Sequence, residues 1–188
     1  MHMNSPLSGE QLEKIMFYII QKQPQNRAEF EDAKREMCSE LKVGQPANRF
    51  LLATYKSLVD QNRIGTDKQL EQFLKKANIR SLSGVAIVTS LIKPYMCPGK
   101  CIYCPTEVRM PKSYIASEPA AARALRLDFS PYEQMRQRII MLEKNGHAVD
   151  KIEFILKGGT WNAYPLKYQY WFTLESFKAC NNLKREAD

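Results

Sequence analysis

Between Tyr95 and Pro105 the chain reads YMCPGKCIYCP, and this short stretch carries three of its five cysteines. Cys97, Cys101 and Cys104 stand in a Cys-x3-Cys-x2-Cys spacing, among prolines and a glycine that keep the segment out of helix and strand. Three chemistries compete for such a loop. A structural zinc wants four tetrahedral ligands. The loop offers three, and Cys38, Cys180 or His147 would have to supply the fourth without a finger-like spacing. A redox pair needs only Cys101 and Cys104 and leaves Cys97 without a role. Three thiolates holding three irons of a [4Fe–4S] cluster use all three, with the fourth iron open to a substrate or cofactor. The spacing fits this last chemistry best.

Two strands must position these groups. The run GVAIVTSLI (84–92) is β-branched and continuous, which predicts a strand covered on both faces. Lys93-Pro94 stops it immediately before the cysteine loop. KIEFIL (151–156) predicts a second buried strand, running into Gly158-Gly159-Thr160, a tight turn or a close approach of backbone to a ligand. Between them, Ser130-Pro131-Tyr132-Glu133 is a capping box with proline at the first helical position. Tyr132, Met135, Ile139 and Leu142 form the buried stripe of that helix, and Asn145-Gly146 ends it. An aromatic-rich helical pattern follows from about Leu166 to Asn181. Strand, helix, strand, helix predicts an α/β fold with a parallel sheet and right-handed crossovers. Both motifs then fall at C-terminal strand ends, where βα barrels keep their chemistry. Two strands close no barrel, so residues 81–188 read as the first βα units of a larger domain.

The first 80 residues are helical in pattern. Leu12, Ile15, Met16, Ile19 and Ile20 follow one buried face. Phe30, Ala33, Met37 and Leu41 mark a second helix, and Leu51, Tyr55, Leu58 and Val59 a third. Leu70, Phe73, Leu74 and Ala77 mark a fourth, entered through Thr66-Asp67. A helical domain over 1–80 is therefore expected ahead of the α/β part. The net charge is +8, with 13 basic against 10 acidic residues in 1–80 and 15 against 10 in 81–188. Such an excess suits a polyanionic partner, though mixed charge of this kind also describes a plain solvated surface. Trp161, Tyr164, Tyr168, Tyr170, Trp171 and Phe172 are either a stacking platform for bases or a core stripe. No apolar run approaches the roughly 20 residues that span a bilayer. No secretory signal is visible, which predicts reduced thiols, a cytoplasmic location and no membrane partner.

The cysteine loop directly after a first strand, with the aromatic Tyr103 before its last cysteine, resembles that of radical S-adenosylmethionine enzymes. This resemblance implies S-adenosylmethionine on the open iron, cleaved by one electron to a 5′-deoxyadenosyl radical. It also implies that Gly158, Gly159 and Thr160 bind the methionine amino group of that cofactor. The runs 80–105 and 111–161 further resemble the catalytic subunit of Elongator, a family of tRNA uridine acetyltransferases. The marks are Ser113-Tyr114, Glu118-Pro119, Arg123-Ala124, Pro131-Tyr132, Gly146-His147, Asp150-Lys151 and Gly158-Gly159-Thr160. The resemblance covers nearly all of 80–180, is similar in pattern over 46–79, and is weaker over 1–45.

What it implies is concrete. The radical takes a hydrogen from the methyl of acetyl-CoA, and the resulting carbon radical adds to C5 of the wobble uridine. Cys97, Cys101 and Cys104 would hold the cluster, Tyr103 would lie at the cofactor, and Lys151 would contact acetyl-CoA. Residues 1–80 would be a basic tRNA-binding domain, and 81–188 the N-terminal part of a radical S-adenosylmethionine barrel. Homodimerisation or other Elongator-type subunits are the implied partners besides tRNA. Where the family carries Gly-Gly after the last cysteine and proline, this chain has Thr106-Glu107. The remaining barrel strands and the acetyltransferase domain are missing, so the chain is expected to be inactive alone. The alternative is a non-catalytic basic tRNA-binding module whose cysteine loop holds zinc or nothing.

Overall fold

A computed structural model describes residues 7–77 and 81–183. They divide into two compact units: Met1–Leu82 with Leu142–Ala148, and Ser83–Met141 with Val149–Asp188.

The first unit is built on α1 (Gly9–Lys22), α2 (Arg27–Glu40), α3 (Asn48–Asp60) and α4 (Lys68–Leu74). Local signals start three of them. Ser8 and Gln11 form a reciprocal capping box, with the Gln11 N–H donating to Ser8 Oγ at 3.2 Å and the Ser8 N–H to Gln11 Oε1 at 2.9 Å. Asn26 Oδ1 accepts from the Glu29 N–H, and Asp67 Oδ1 from the N–H groups of Gln69 and Leu70. The predicted stripes meet in one core, in which Ile15, Ile19, Phe30, Leu51, Tyr55 and Leu74 are almost wholly buried. Each such side chain contributes about 1.5–3 kcal/mol of transfer free energy. Cys38 belongs to the same core, and burial pushes its thiol pKa up. The fourth helix is shorter than its apolar pattern: it ends at Leu74, Lys75 is extended, and Ala77 lies beyond it with φ 55°. The segment 142–148 is fastened here by Gly146, whose φ of 84° and contact with Leu52 and Lys75 leave no place for a side chain. His147 is buried, with Nδ1 2.8 Å from Ser81 Oγ.

The second unit holds β1 (Ala86–Leu91), α5 (Pro119–Arg126), most of α6 (Pro131–Lys144), β2 (Ile152–Lys157) and α7 (Leu166–Asn182), with a 3-10 turn at Trp161–Ala163. β1 and β2 pair in parallel, Ala86 opposite Ile152 through Leu91 opposite Lys157. The ladder runs on by one bond at each end, Ala86 N–H to Lys151 O and Ile92 N–H to Lys157 O. The described residues thus give an α/β unit with a two-stranded parallel sheet. Neither strand is as buried as its apolar run predicts. Ile87 is 48% exposed, and no residue of β2 is fully buried. Successive side chains point to opposite faces; on the face that Ile87 occupies, Leu91 is buried with Met110, Ala121, Ala124 and Phe129, so this face is covered at its C-terminal end and open at Ile87. The helix α5 was not marked by periodicity, because PAAARALR shows no long apolar stripe; proline at its first position starts it. Ser130 caps α6 through a 3.4 Å bond from the Glu133 N–H. Gln134 on α6 completes the edge of β1 that pairs with no strand among the described residues. Its Oε1 accepts from the Leu91 N–H at 2.9 Å and its Nε2 donates to the Leu91 carbonyl at 3.0 Å. No helix among the described residues is long and apolar enough to cross a membrane.

Candidate metal centre

The chain leaves β1 at Lys93 and is held there by aromatic side chains. Tyr164 donates its hydroxyl hydrogen to the Lys93 carbonyl at 2.6 Å, and the Lys93 N–H donates to Tyr168 Oη at 3.1 Å. The Lys93 ammonium lies over the Tyr168 ring, 5.0 Å from its centroid, and Tyr95 packs on Tyr164 with centroids 4.7 Å apart. Burial, with Tyr168, Cys97 and Tyr95 nearby, pushes the Tyr164 phenol well above its ordinary pKa. This settles the aromatic stripe. Trp161, Tyr164, Tyr168 and Phe172 pack on one another and on Ile92, Trp171 packs on Tyr168 while part of it stays exposed, and Tyr170 faces outward.

The loop that follows meets the end of β2. Cys97 Sγ lies 3.3 Å from Thr160 Oγ1, joining two strand ends 63 residues apart in sequence. The Thr160 hydroxyl, and then the Gly99 backbone, lower the pKa of the Cys97 thiol against the opposing effect of burial; the charge of Lys112 adds to the lowering. Gly99 lies beside two of the thiols: a Cβ there would stand in ordinary contact, 3.5 Å from Cys101 Sγ and 3.6 Å from Cys97 Sγ. Cys104 is turned elsewhere, its Sγ 2.8 Å from Ser113 Oγ. Tyr103 is 90% exposed. All five cysteines are free thiols.

Among the described residues no three His, Cys, Asp or Glu side chains converge as a group that could hold a metal ion. The donors nevertheless fit a thiolate-held cluster by type: three reduced thiols on one loop, one biased toward thiolate, two beside a glycine. The third must rotate off Ser113 to close the set. Of the three candidate fourth ligands for zinc, Cys38 is a core side chain, His147 is buried against Ser81, and Cys180 is a half-buried free thiol on α7 whose pKa burial pushes up.

The two glycines after β2 differ. A Cβ on Gly158 would stand 2.1 and 2.2 Å from Ile92 Cγ1 and Cδ1, so packing alone demands glycine there. A Cβ on Gly159 would meet Lys112 at ordinary contact distances, its Cβ at 3.5 Å and its backbone N and O at 3.8 and 3.9 Å. Lys151 is exposed at the opposite end of β2, where six strand residues put it about 20 Å from Lys157, the residue that precedes the Gly-Gly-Thr turn. It is not brought to the thiols. Thr106 and Glu107 fasten the outer loop: Lys112 Nζ donates to Thr106 Oγ1, and the Glu107 carboxylate accepts from the Ala116 N–H at 2.7 Å and from Arg109. The Ala116 N–H, seconded by Arg109, holds this carboxyl below the usual range. Sequence reasoning missed Ser113, Lys112 and Gln134 as partners, since no local periodicity links them to the groups they touch.

No family model matches the chain. Curated proteins do resemble it. Over 145 residues it is 41% identical to the tRNA uridine(34) acetyltransferase of Methanocaldococcus infernus, which covers 74% of this chain and 26% of that protein. Over 104 residues it is 40% identical to the tRNA uridine(34) acetyltransferase of Dehalococcoides mccartyi, 55% of this chain and 23% of that protein. Over 116 residues it is 40% identical to Elongator complex protein 3 of Homo sapiens, 56% of this chain and 21% of that protein. The resemblance to the catalytic subunit of Elongator is thus borne out, and the chain spans about a quarter of the length of the relatives it matches.

Proposed function

We propose that this chain carries the tRNA-binding helical unit and the cysteine-loop unit of a tRNA wobble-uridine acetyltransferase, acting at C5 of uridine 34. The observation that carries the reading is the contact between Cys97 and Thr160. It brings the cysteine motif and the Gly-Gly-Thr motif to one place, at the C-terminal ends of two parallel strands, which is where βα folds assemble active sites. On this reading β1 and β2 are the first strands of a barrel, and further strands would pair along the open edge of the sheet.

Cys97, Cys101 and Cys104 are the proposed ligands of a [4Fe–4S] cluster. With S-adenosylmethionine, that group would supply one-electron radical chemistry at carbon. The chain's own residues prepare the place. Thr160 and the Gly99 backbone favour Cys97 as the thiolate, the form that ligates iron. Gly99 and Gly159 keep side chains out of the space beside the sulfurs and beside Lys112. Gly158 lets β2 end flush against Ile92, which fixes where Gly159 and Thr160 stand. Gly159 and Thr160, with Tyr103, are the proposed contacts to S-adenosylmethionine. Tyr164 and Tyr168 anchor the start of the loop through Lys93. Lys151, at the far end of β2, is the proposed acetyl-CoA contact. A second copy of the chain or Elongator-type subunits are the proposed protein partners, and the cytoplasm the proposed location.

The test is iron and acid-labile sulfide content with a visible absorbance spectrum on anaerobically prepared protein, beside a Cys97→Ala/Cys101→Ala/Cys104→Ala variant. About four irons per chain, lost in the variant, support the cluster. Zinc, or no metal after reconstitution with iron and sulfide, overturns it and leaves a non-catalytic tRNA-binding module.

A further inference from the structure

The cations of the helical unit are distributed in a way that composition hides. All five Lys and Arg residues of α1 and α2 lie within 4 Å of a carboxylate: Lys14 with Glu10, Lys22 with Glu36, Arg27 and Lys34 with Glu31, Arg35 with Asp32. The charge of those helices is therefore largely neutralised on their own surface. α3 is different. Its sequence NRFLLATYKSLVD carries one acidic residue, at its last position. Among the described residues neither Arg49 nor Lys56 has an ion-pair partner, and the same holds for Lys144.

These three cations line one groove. It has a volume of about 620 Å³ and belongs to the helical unit. One wall is Arg49, Ala53 and Lys56, which recur on one face of α3; the other is Glu143 and Lys144, with the buried Leu52 between. Ala53 puts a small apolar side chain between Arg49 and Lys56 on this wall. Phe50 stands at the rim, 46% exposed, with the Arg49 guanidinium carbon 4.7 Å over its ring centroid. A guanidinium lying over an exposed ring offers a sequence-tolerant stacking surface to a nucleobase.

We propose that this groove takes one nucleotide of an RNA chain, with the base on the Arg49–Phe50 pair and the flanking phosphates on Lys56 and Lys144. The volume lies within the range of small-ligand sites. Glu143 repels phosphate and accepts N–H donors, so it faces the base edge and not the backbone. An acidic protein segment would satisfy the lysines and leave both the Arg49–Phe50 pair and Glu143 unused. The inference rests on the tRNA reading given above and locates it.

The experiment uses the intact chain and fluorescence anisotropy with labelled tRNA over a range of salt, with labelled poly-glutamate in parallel. Removing two phosphate contacts in Lys56→Gln/Lys144→Gln should flatten the slope of log affinity against log salt by about 1.4–1.8. Phe50→Leu, which keeps the apolar bulk, should weaken binding about five- to a hundredfold at every salt concentration. Lys14→Gln/Lys22→Gln, which removes cations already paired on α1, should bind as the wild type does. All these side chains are on the surface, and matched thermal unfolding confirms that the variants are folded. Wild-type binding to tRNA that the groove variants leave unchanged overturns this site while the tRNA reading stands. Absence of wild-type binding at low salt overturns the tRNA reading and the site with it. Equal losses for poly-glutamate and tRNA overturn the nucleotide assignment in favour of an acidic protein partner.

Discussion

Substitution of Gly158 by alanine isolates packing from ligand binding at the end of β2. The new methyl would stand 2.1 and 2.2 Å from two carbons of Ile92, whereas non-bonded carbons sit about 3.5–4.0 Å apart. Ile92 must therefore retreat by about 1.5 Å. It is fully buried in a cluster with Tyr164 and Phe172, so the retreat pushes on packed neighbours. Backbone strain is not involved, because Gly158 does not have a positive φ. Overpacking of this kind costs about 1–3 kcal/mol. Gly159→Ala meets only an ordinary contact and should stay within about 0.5 kcal/mol of the wild type. Ile92→Ala removes both clashing carbons and leaves Cβ at 3.5 Å. Alone it should cost about 2–5 kcal/mol. Combined with Gly158→Ala it should fall short of the additive loss by about 0.5–3 kcal/mol, since the methyl then fills part of the cavity. Urea unfolding followed by tryptophan fluorescence reads the right unit, because the only two tryptophans, Trp161 and Trp171, both lie in it. A Gly158→Ala chain as stable as the wild type, or strict additivity in the double variant, would refute the argument.

Other consequences can be measured in the same way. Gln134→Leu strips the Leu91 N–H and carbonyl of their partners in a buried place; a loss of about 2–4 kcal/mol is expected, and unchanged urea stability would contradict it. Gly146→Ala forces a side chain to φ 84° and to within 3 Å of Leu52 and Lys75; about 1–2 kcal/mol should be lost from the helical unit by circular dichroism. Glu107 has a depressed pKa, so its hold on Ala116 is complete above the ordinary carboxylate value of about 4.3 and is lost as pH falls through the lower folded value. The hydrogen-exchange protection factor at Ala116 should drop in that acid range in the wild type and be flat with pH in Glu107→Gln. Leu166, Tyr170, Leu174 and Phe177 are exposed along one face of α7. Concentration-dependent association in sedimentation is expected from this stripe, and Leu174→Lys/Phe177→Lys should reduce it; identical profiles would count against the stripe.

Much of the fold is written locally. The apolar spacing in α1 to α3 and α6 follows from the turn of a helix, and Ser8, Asn26, Asp67 and Ser130 mark starts because their oxygens reach free N–H groups within three residues. The cysteine spacing is equally local, so the candidate ligands were legible before any coordinates. Where the signal was short or ambiguous, locality failed. α5 has no stripe, the fourth apolar pattern runs past the end of its helix, and the aromatics of α7 suit a core as well as a surface. Only the tertiary structure decided that Tyr164 and Tyr168 clamp Lys93, that Cys97 meets Thr160, and that Cys104 is turned to Ser113. It also separated Gly158 from Gly159, two identical letters in one motif. One faces the buried Ile92 and the other meets Lys112 at ordinary contact distance, and what a residue without a side chain is for depends on what would have occupied that space. Charge followed the same rule. The excess of cations is a property of the sequence, but which of them remain unpaired depends on which carboxylates the folded helices bring alongside.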